Sequence, residues 1–137
     1  MNQTKQVHYK AIFKQGDEKQ TIEYKVDGWI DYGQKTRLHF QTDQGKIQIS
    51  FDELEVYLQN GDSLLRFHKE KKVWNHYQLP YGTVELKTEL LKFKASSQMI
   101  QMKYALYDHQ GMISMVYIMI TLKDYPIKVD AWSFSRF

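Results

Sequence analysis

The side chains in this 137-residue sequence that could carry chemistry are five histidines, a short acidic cluster and an unusual supply of tyrosines. His8, His39, His68, His76 and His109 contain no His-x-His or His-x-x-x-His pair. A zinc site needs three or four converging ligands, and His68 with His76 across a hairpin would supply two. His8 and His39 fall on polar strand faces beside Lys10 and Arg37. The expectation is therefore no metal centre. Asp52, Glu53 and Glu55 follow Phe51 in a stretch that reads as a solvated turn. Paired catalytic carboxylates need one environment that raises a pKa, and nothing in the pattern marks one. There is no cysteine, no Gly-x-Ser-x-Gly and no glycine-rich loop followed by Lys-Ser or Lys-Thr, so nucleophilic and phosphate-cradling motifs are missing. The sequence offers no catalytic set and no cofactor motif, and it does not by itself say what the protein does.

Composition narrows the class. Lysine plus arginine is 19 and aspartate plus glutamate 16, a net +3, with 42% hydrophobic and 15% aromatic residues. That balance excludes a disordered chain, and the lack of cysteine excludes a disulfide framework. The start, MNQTKQVHYK, has no apolar core of a signal peptide. The longest apolar stretch, 112–122, is about half the ~20 residues a membrane helix needs. A cytoplasmic protein with no membrane association is the expectation, and the missing cysteines agree with a reducing compartment. Nucleic-acid binding is disfavoured. Lys87, Lys92, Lys94 and Lys103 fall on consecutive strands, but Glu85 and Glu89 interrupt that face and only three basic residues are arginine.

The elements that must position any site read almost entirely as strands. Val7, Tyr9, Ala11 and Phe13 share one face, and Ile22, Tyr24 and Val26 repeat the period of two. Asp27-Gly28 and Tyr32-Gly33 punctuate the stretch that follows. Leu38 and Phe40, a turn at Asp43-Gln44-Gly45, then Ile47, Ile49 and Phe51 make a hairpin signal. Asn60-Gly61 joins Val56 and Leu58 to Leu65 and Phe67 and is the strongest short hairpin signal present. Leu79-Pro80-Tyr81-Gly82 marks another reversal. The phase slips at Leu90-Leu91, where Leu91 and Phe93 take over, which predicts a bulge. Ile100, Met102, Tyr104 and Leu106 lead through His109-Gln110-Gly111 into the apolar 112–122 stretch. The best helix candidate, 51–58, is short and fits two strand ends equally well.

Regular strands with turns between them predict an all-β, single-domain, antiparallel up-and-down barrel of about 8–10 strands. The alternation turns Tyr24, Phe40, Phe67, Tyr77 and Tyr104 inward, with Thr88 and Arg66 as further polar groups. These seven are the candidate lining of an interior ligand site, against the plainer expectation of a packed aromatic core. The segment 124–137 carries Ile127, Val129, Trp132, Phe134 and Phe137. It is expected to pack on its own barrel, over Met115, Tyr117 and Met119, or on a second protomer, so that monomer and homodimer both stay open.

One series of residues is similar to a known family. Leu58-Gln59-Asn60-Gly61, Leu65-Arg66-Phe67, Tyr77-Gln78-Leu79-Pro80-Tyr81-Gly82 with Leu86 and Thr88, and Tyr104-Ala105-Leu106 resemble the YwiB-like bacterial family of calycin-like, lipocalin-type barrels. The pattern spans roughly Val7 to Leu122. It departs at Gln59, where the family typically has arginine, and at Leu79, where it has threonine. The loop at 95–98 is shorter, and 124–137 runs past the shared pattern. The resemblance implies a closed antiparallel barrel and brings no activity. By fold analogy, calycin relatives often hold small apolar molecules. The first expectation is therefore a non-enzymatic barrel binding a small apolar or amphipathic ligand. The alternative is a fully packed barrel acting as a protein- or RNA-interaction module, and an enzyme ranks third.

Overall fold

A computed structural model describes residues 2–125. Ten strands follow one another: β1 (Asn2–Gln15), β2 (Glu18–Tyr32), β3 (Thr36–Thr42), β4 (Gly45–Phe51), β5 (Glu55–Asn60), β6 (Ser63–His68), β7 (Val73–Leu79), β8 (Gly82–Ala95), β9 (Met99–Asp108) and β10 (Gly111–Lys123). No helix occurs among the described residues. The 51–58 stretch is two strand ends around a turn at residues 52–54. All neighbours pair antiparallel, in the order β6-β5-β4-β3-β2-β1-β10-β9-β8-β7. Sequence neighbours are sheet neighbours throughout, except that β1 pairs with β10 and β6 does not pair with β7. The result is the expected up-and-down barrel, closed by backbone pairing everywhere but at one seam.

The two ends of the barrel differ. At one, the hairpins β1–β2, β3–β4, β5–β6, β7–β8 and β9–β10 each turn in two residues. Two-residue turns that match strand twist need positive φ at a central position, and Gly61 in the Asn60-Gly61 hairpin supplies it at φ 61°. At the other end the connections take three or four residues and the chain enters and leaves. We call these the hairpin end and the terminal end.

Alternation decides what lies inside. Val7, Ala11, Ile30, Leu38, Ile49, Val56, Phe67, Ile100, Val116 and Ile120 are buried and form one continuous core. Each large apolar side chain placed there contributes about 1.5–3 kcal/mol relative to exposure. The phase slip is a bulge between Leu90 and Lys92. It resolves opposite to expectation at one residue: Leu90 packs on the core, while Leu91, the extra residue, is exposed. Asp27-Gly28 does not break the chain either, because Gly28 lies within β2 opposite Lys5 and Phe40. A Cβ at Gly28 would come within 2.6 Å of Val7 Cγ2 and 3.1 Å of the His39 carbonyl oxygen. The glycine lets β1, β2 and β3 approach closely where their ladders meet.

The terminal end is tied by side chains. Lys5 lies on the inward face of β1, is buried, and pairs with Asp124 just past β10. The Tyr125 hydroxyl donates to Asp27 on β2. The first two residues of the 124–137 extension thus bond to their own barrel. The expected cover over Met115, Tyr117 and Met119 falls on residues 126–137, which lie outside the described residues.

Candidate functional site

The interior is not filled completely. A pocket of about 160 Å³ sits toward the hairpin end, walled by Phe13, Ile47, Leu58, Leu65, Leu86 and Leu106. Its polar groups are the phenols of Tyr9, Tyr77 and Tyr104, with Asn60 and Ser63 on the β5–β6 hairpin at its mouth. Tyr9 (6% exposed) and Tyr104 (3%) are buried, and Tyr77 is half-buried. Their positions follow from strand alternation: Tyr9 follows Val7 on β1, Tyr77 follows Asn75 on β7, and Tyr104 follows Met102 on β9, each two residues on.

Packing fixes the rings. Tyr9 stacks on Tyr24 with centroids 6.0 Å apart and tilts against Phe40 at 5.5 Å. Tyr104 tilts against Phe67 at 4.7 Å. Such pairs hold ring orientation and contribute about 0.5–1.5 kcal/mol beyond area burial. Burial, and then the neighbouring Tyr24 phenol, push Tyr9 up to about 12. Burial also raises Tyr104, with the phenols of Tyr9 and Tyr77 adding to the effect. These groups stay protonated at any ordinary pH, so they are hydrogen-bond donors rather than bases. None of the three hydroxyls has a hydrogen-bond partner among the described residues. Among the described residues the one fully buried side-chain polar atom without a partner is His8 Nε2, so the three phenols keep contact with the pocket space, where an entering acceptor can meet them.

The seven expected interior residues divide. Tyr77 and Tyr104 line the pocket. Tyr24, Phe40 and Phe67 stand behind it as packing partners of the lining rings. Thr88 is buried but lies at the seam, where its hydroxyl donates to the Arg66 carbonyl at 2.6 Å. Arg66 is a correction. Its side chain is exposed, since it falls between the inward Leu65 and Phe67, and only its backbone takes part in the interior. Tyr9 and Asn75 are the residues the sequence reasoning missed. Tyr9 shares its strand face with Val7 and Ala11, so alternation alone could have found it. Asn75 alternates with Val73 and Tyr77 and carries the signal of a polar residue on an apolar face. Its purpose depends on β6 and β7 meeting, which no local pattern reveals.

Acid–base chemistry finds no support in this pocket, which has no carboxylate, histidine or lysine in its lining. Among the described residues, no three histidine, aspartate or glutamate side chains are grouped to hold a metal ion. The histidines are dispersed over the outside. His8 stands 3.1 Å from a Glu23 carboxylate oxygen, an ion-pair contact outside hydrogen-bond alignment. His39 stacks on Trp29 at 5.6 Å, and burial followed by Lys46 and Arg37 lowers its pKa. His109 stacks on Trp74 at 4.5 Å and meets Glu85 at 2.8 Å. The Glu70 amide donates to His68.

The outer face carries a second feature. Ile12, Tyr117 and Met119 floor a groove of about 620 Å³ across β1, β10 and β9, rimmed by Lys10, Lys92 and Lys103. Lys14 and Lys103 both sit over the Tyr117 ring, at 5.4 and 5.1 Å. Lys92 and Lys103 are direct cross-strand partners, a like-charge pairing that is unfavourable in isolation.

Ten antiparallel strands in meander order define an up-and-down β-barrel protein. The chain belongs to the family described as "Domain of unknown function (DUF1934)", whose model matches residues 7–120. The crystal structure of the ywiB protein from Bacillus subtilis superposes with a TM-score of 0.65 at 20% identity, covering 88% of this chain and 92% of that one. At that identity the likeness shows the fold alone. The resemblance read from Leu58 to Leu106 and the barrel it implies both hold. A comparison with curated proteins finds no match. Among the described residues, no helix is long and apolar enough to cross a membrane.

Proposed function

We propose that this protein is a small-molecule-binding barrel whose site is the interior pocket at the hairpin end. The observation that carries the reading is the Tyr104 phenol. It is almost wholly buried, lines the pocket, and has no hydrogen-bond partner among the described residues. Apolar walls with a few converging polar groups are the usual composition of ligand sites. Size sets the ligand. Drug-sized molecules occupy roughly 300–1,000 Å³, whereas about 160 Å³ matches the scale of a cavity that accepts benzene. The expectation of a lipocalin-type apolar ligand therefore contracts to a compact molecule. A cytoplasmic location, in keeping with the absence of cysteine, is part of the same proposal.

Native mass spectrometry of protein purified from the organism that encodes it tests this. A co-purifying small molecule that is lost when Leu106→Trp fills the pocket supports the reading. A filled-pocket variant that retains the same adduct, or a wild-type protein with none, counts against it.

The lysine-rimmed groove favours a second reading, a protein-interaction face. Its apolar floor with Met119 suits an adaptable contact, and its rim suits an acidic amphipathic segment. Binding of a synthetic peptide with leucines on one face and glutamates on the other, weakened by Lys103→Glu, would support it. Equal affinity for the matching lysine peptide would remove the charge argument.

A further inference from the structure

The pocket's chemistry narrows the ligand further, and this step rests on the reading of the interior as a binding site. Three phenols, from Tyr9, Tyr77 and Tyr104, border one small space. Each brings an O–H that no described residue accepts. The rings of Tyr9 and Tyr104 are held by Tyr24, Phe40 and Phe67, so their hydroxyls are kept in place at the border of this space. A phenol oxygen is a better donor than acceptor, because its lone pair is shared with the ring. What these side chains offer a molecule in the pocket is therefore donors, which call for acceptors on that molecule. A carbonyl oxygen offers two lone pairs and answers two such donors at once.

Charge is excluded by what does not line the space. No lysine, arginine or histidine borders it, and no carboxylate does. The buried cation of the barrel, Lys5, is engaged with Asp124, just past β10 at the terminal end. An ionised ligand would enter an apolar pocket without a counter-charge, a large desolvation cost. A neutral molecule would not.

We propose that the pocket takes a compact neutral carbonyl compound, with roughly six to nine non-hydrogen atoms by comparison with benzene-sized cavities, its oxygen held by the Tyr104 and Tyr9 phenols and its apolar part against Leu58, Leu65 and Leu106. Entry is from the hairpin end, past Asn60 and Ser63. Phenols held protonated by burial keep this donor set constant across ordinary pH.

Three probes of matched shape test it by titration with NMR detection: ethylbenzene, acetophenone and benzoate. The expected result is acetophenone binding at least tenfold more tightly than ethylbenzene, with benzoate weakest. Tyr104→Phe should erase the advantage of acetophenone while leaving ethylbenzene affinity within about twofold, since the ring and its packing remain. Tyr9→Phe provides the same comparison where Tyr104→Phe folds poorly. Equal binding of ethylbenzene and acetophenone to the wild type would overturn the carbonyl inference and leave the pocket standing. Tightest binding of benzoate would overturn the requirement for neutrality. Failure of all three probes would overturn both this inference and the ligand-binding reading beneath it.

Discussion

The carboxamide of Asn75 on β7 substitutes for a missing backbone rung at Arg66 on β6. Its oxygen accepts from the Arg66 amide at 2.7 Å and its nitrogen donates to the Arg66 carbonyl at 3.1 Å. Thr88 on β8 donates to the same carbonyl at 2.6 Å, and Asn75 donates to Thr88 at 3.3 Å. Ser63 adds a bond from its hydroxyl to the Gln78 carbonyl at 2.6 Å. A barrel avoids open edges by pairing all of its strands. Here side chains complete the circle at the one place where the ladder stops.

Asn75→Ala should therefore destabilise by about 1–3 kcal/mol, because it strands the Arg66 amide at the seam while Thr88 still serves the Arg66 carbonyl. Urea unfolding reads the loss, and hydrogen exchange at Arg66 locates it. Exchange at Arg66 should accelerate far more than at Ile100, which lies in the core away from the seam. Unchanged exchange at Arg66 would show that β6 and β7 are held by something else.

Gly28 offers a packing prediction. A methyl there meets Val7 Cγ2 at 2.6 Å and the His39 carbonyl at 3.1 Å. Valine is short and branched, so it cannot bend away, and overpacking of this kind costs about 1–3 kcal/mol. Gly28→Ala should lower the urea midpoint. Val7→Ala combined with it should cost less than the sum of the two single changes. Strict additivity would mean that the clash is with backbone rather than with Val7.

Most of the fold could be read from local pattern, and the exceptions have physical causes. The hairpin turns carry their own signals, and Asn60-Gly61 is a turn whatever the rest of the chain does. Inward tyrosines follow from alternation, which is why Tyr77 and Tyr104 were placed correctly. Arg66 was misplaced although Leu65 and Phe67 already fixed its outward direction. Gly28 looked like punctuation because a glycine at a strand crossing and a glycine in a turn are identical in sequence. The seam at Asn75 is a relation between strands that only closure of the whole barrel brings together. The pocket itself is a small difference between interior volume and side-chain volume, and no single residue encodes it.

Acid should probe the β4–β5 turn. Asp52 accepts backbone hydrogen bonds from Glu55 at 2.8 Å and Leu54 at 2.9 Å, and these lower its pKa below the usual 3.8. A carboxyl with a depressed folded pKa stabilises fully above its unfolded value. That stabilisation is lost as pH falls through the lower folded value. Asp52→Ala should thus be less stable than wild type at pH 7, and the gap should narrow at pH values below 3.8. Urea unfolding of both proteins across that range measures it. A gap independent of pH would assign the effect to turn geometry instead of to the ionised carboxylate.

Alkali should probe the pocket from the opposite side. Unfolded tyrosine loses its proton near pH 10, while burial holds the Tyr9 proton until about 12. Tyr104 is shifted in the same direction by its burial and by the adjacent phenols of Tyr9 and Tyr77. Between the unfolded and folded values the native barrel binds more protons than the unfolded chain, so its stability must fall as pH rises through that window. Below pH 10 the difference vanishes and stability is flat with respect to these groups. Ultraviolet titration of the phenolate band should show late-titrating tyrosines that appear only as the protein unfolds. Tyr104→Phe should shallow the alkaline decline by removing one of these protons, and Tyr9→Phe should remove a second. Because the two phenols disfavour each other's ionisation, the double variant should flatten the curve by less than the sum of the single changes. Simple additivity would separate Tyr9 from Tyr104 electrostatically, and with it the idea that one acceptor atom can serve both.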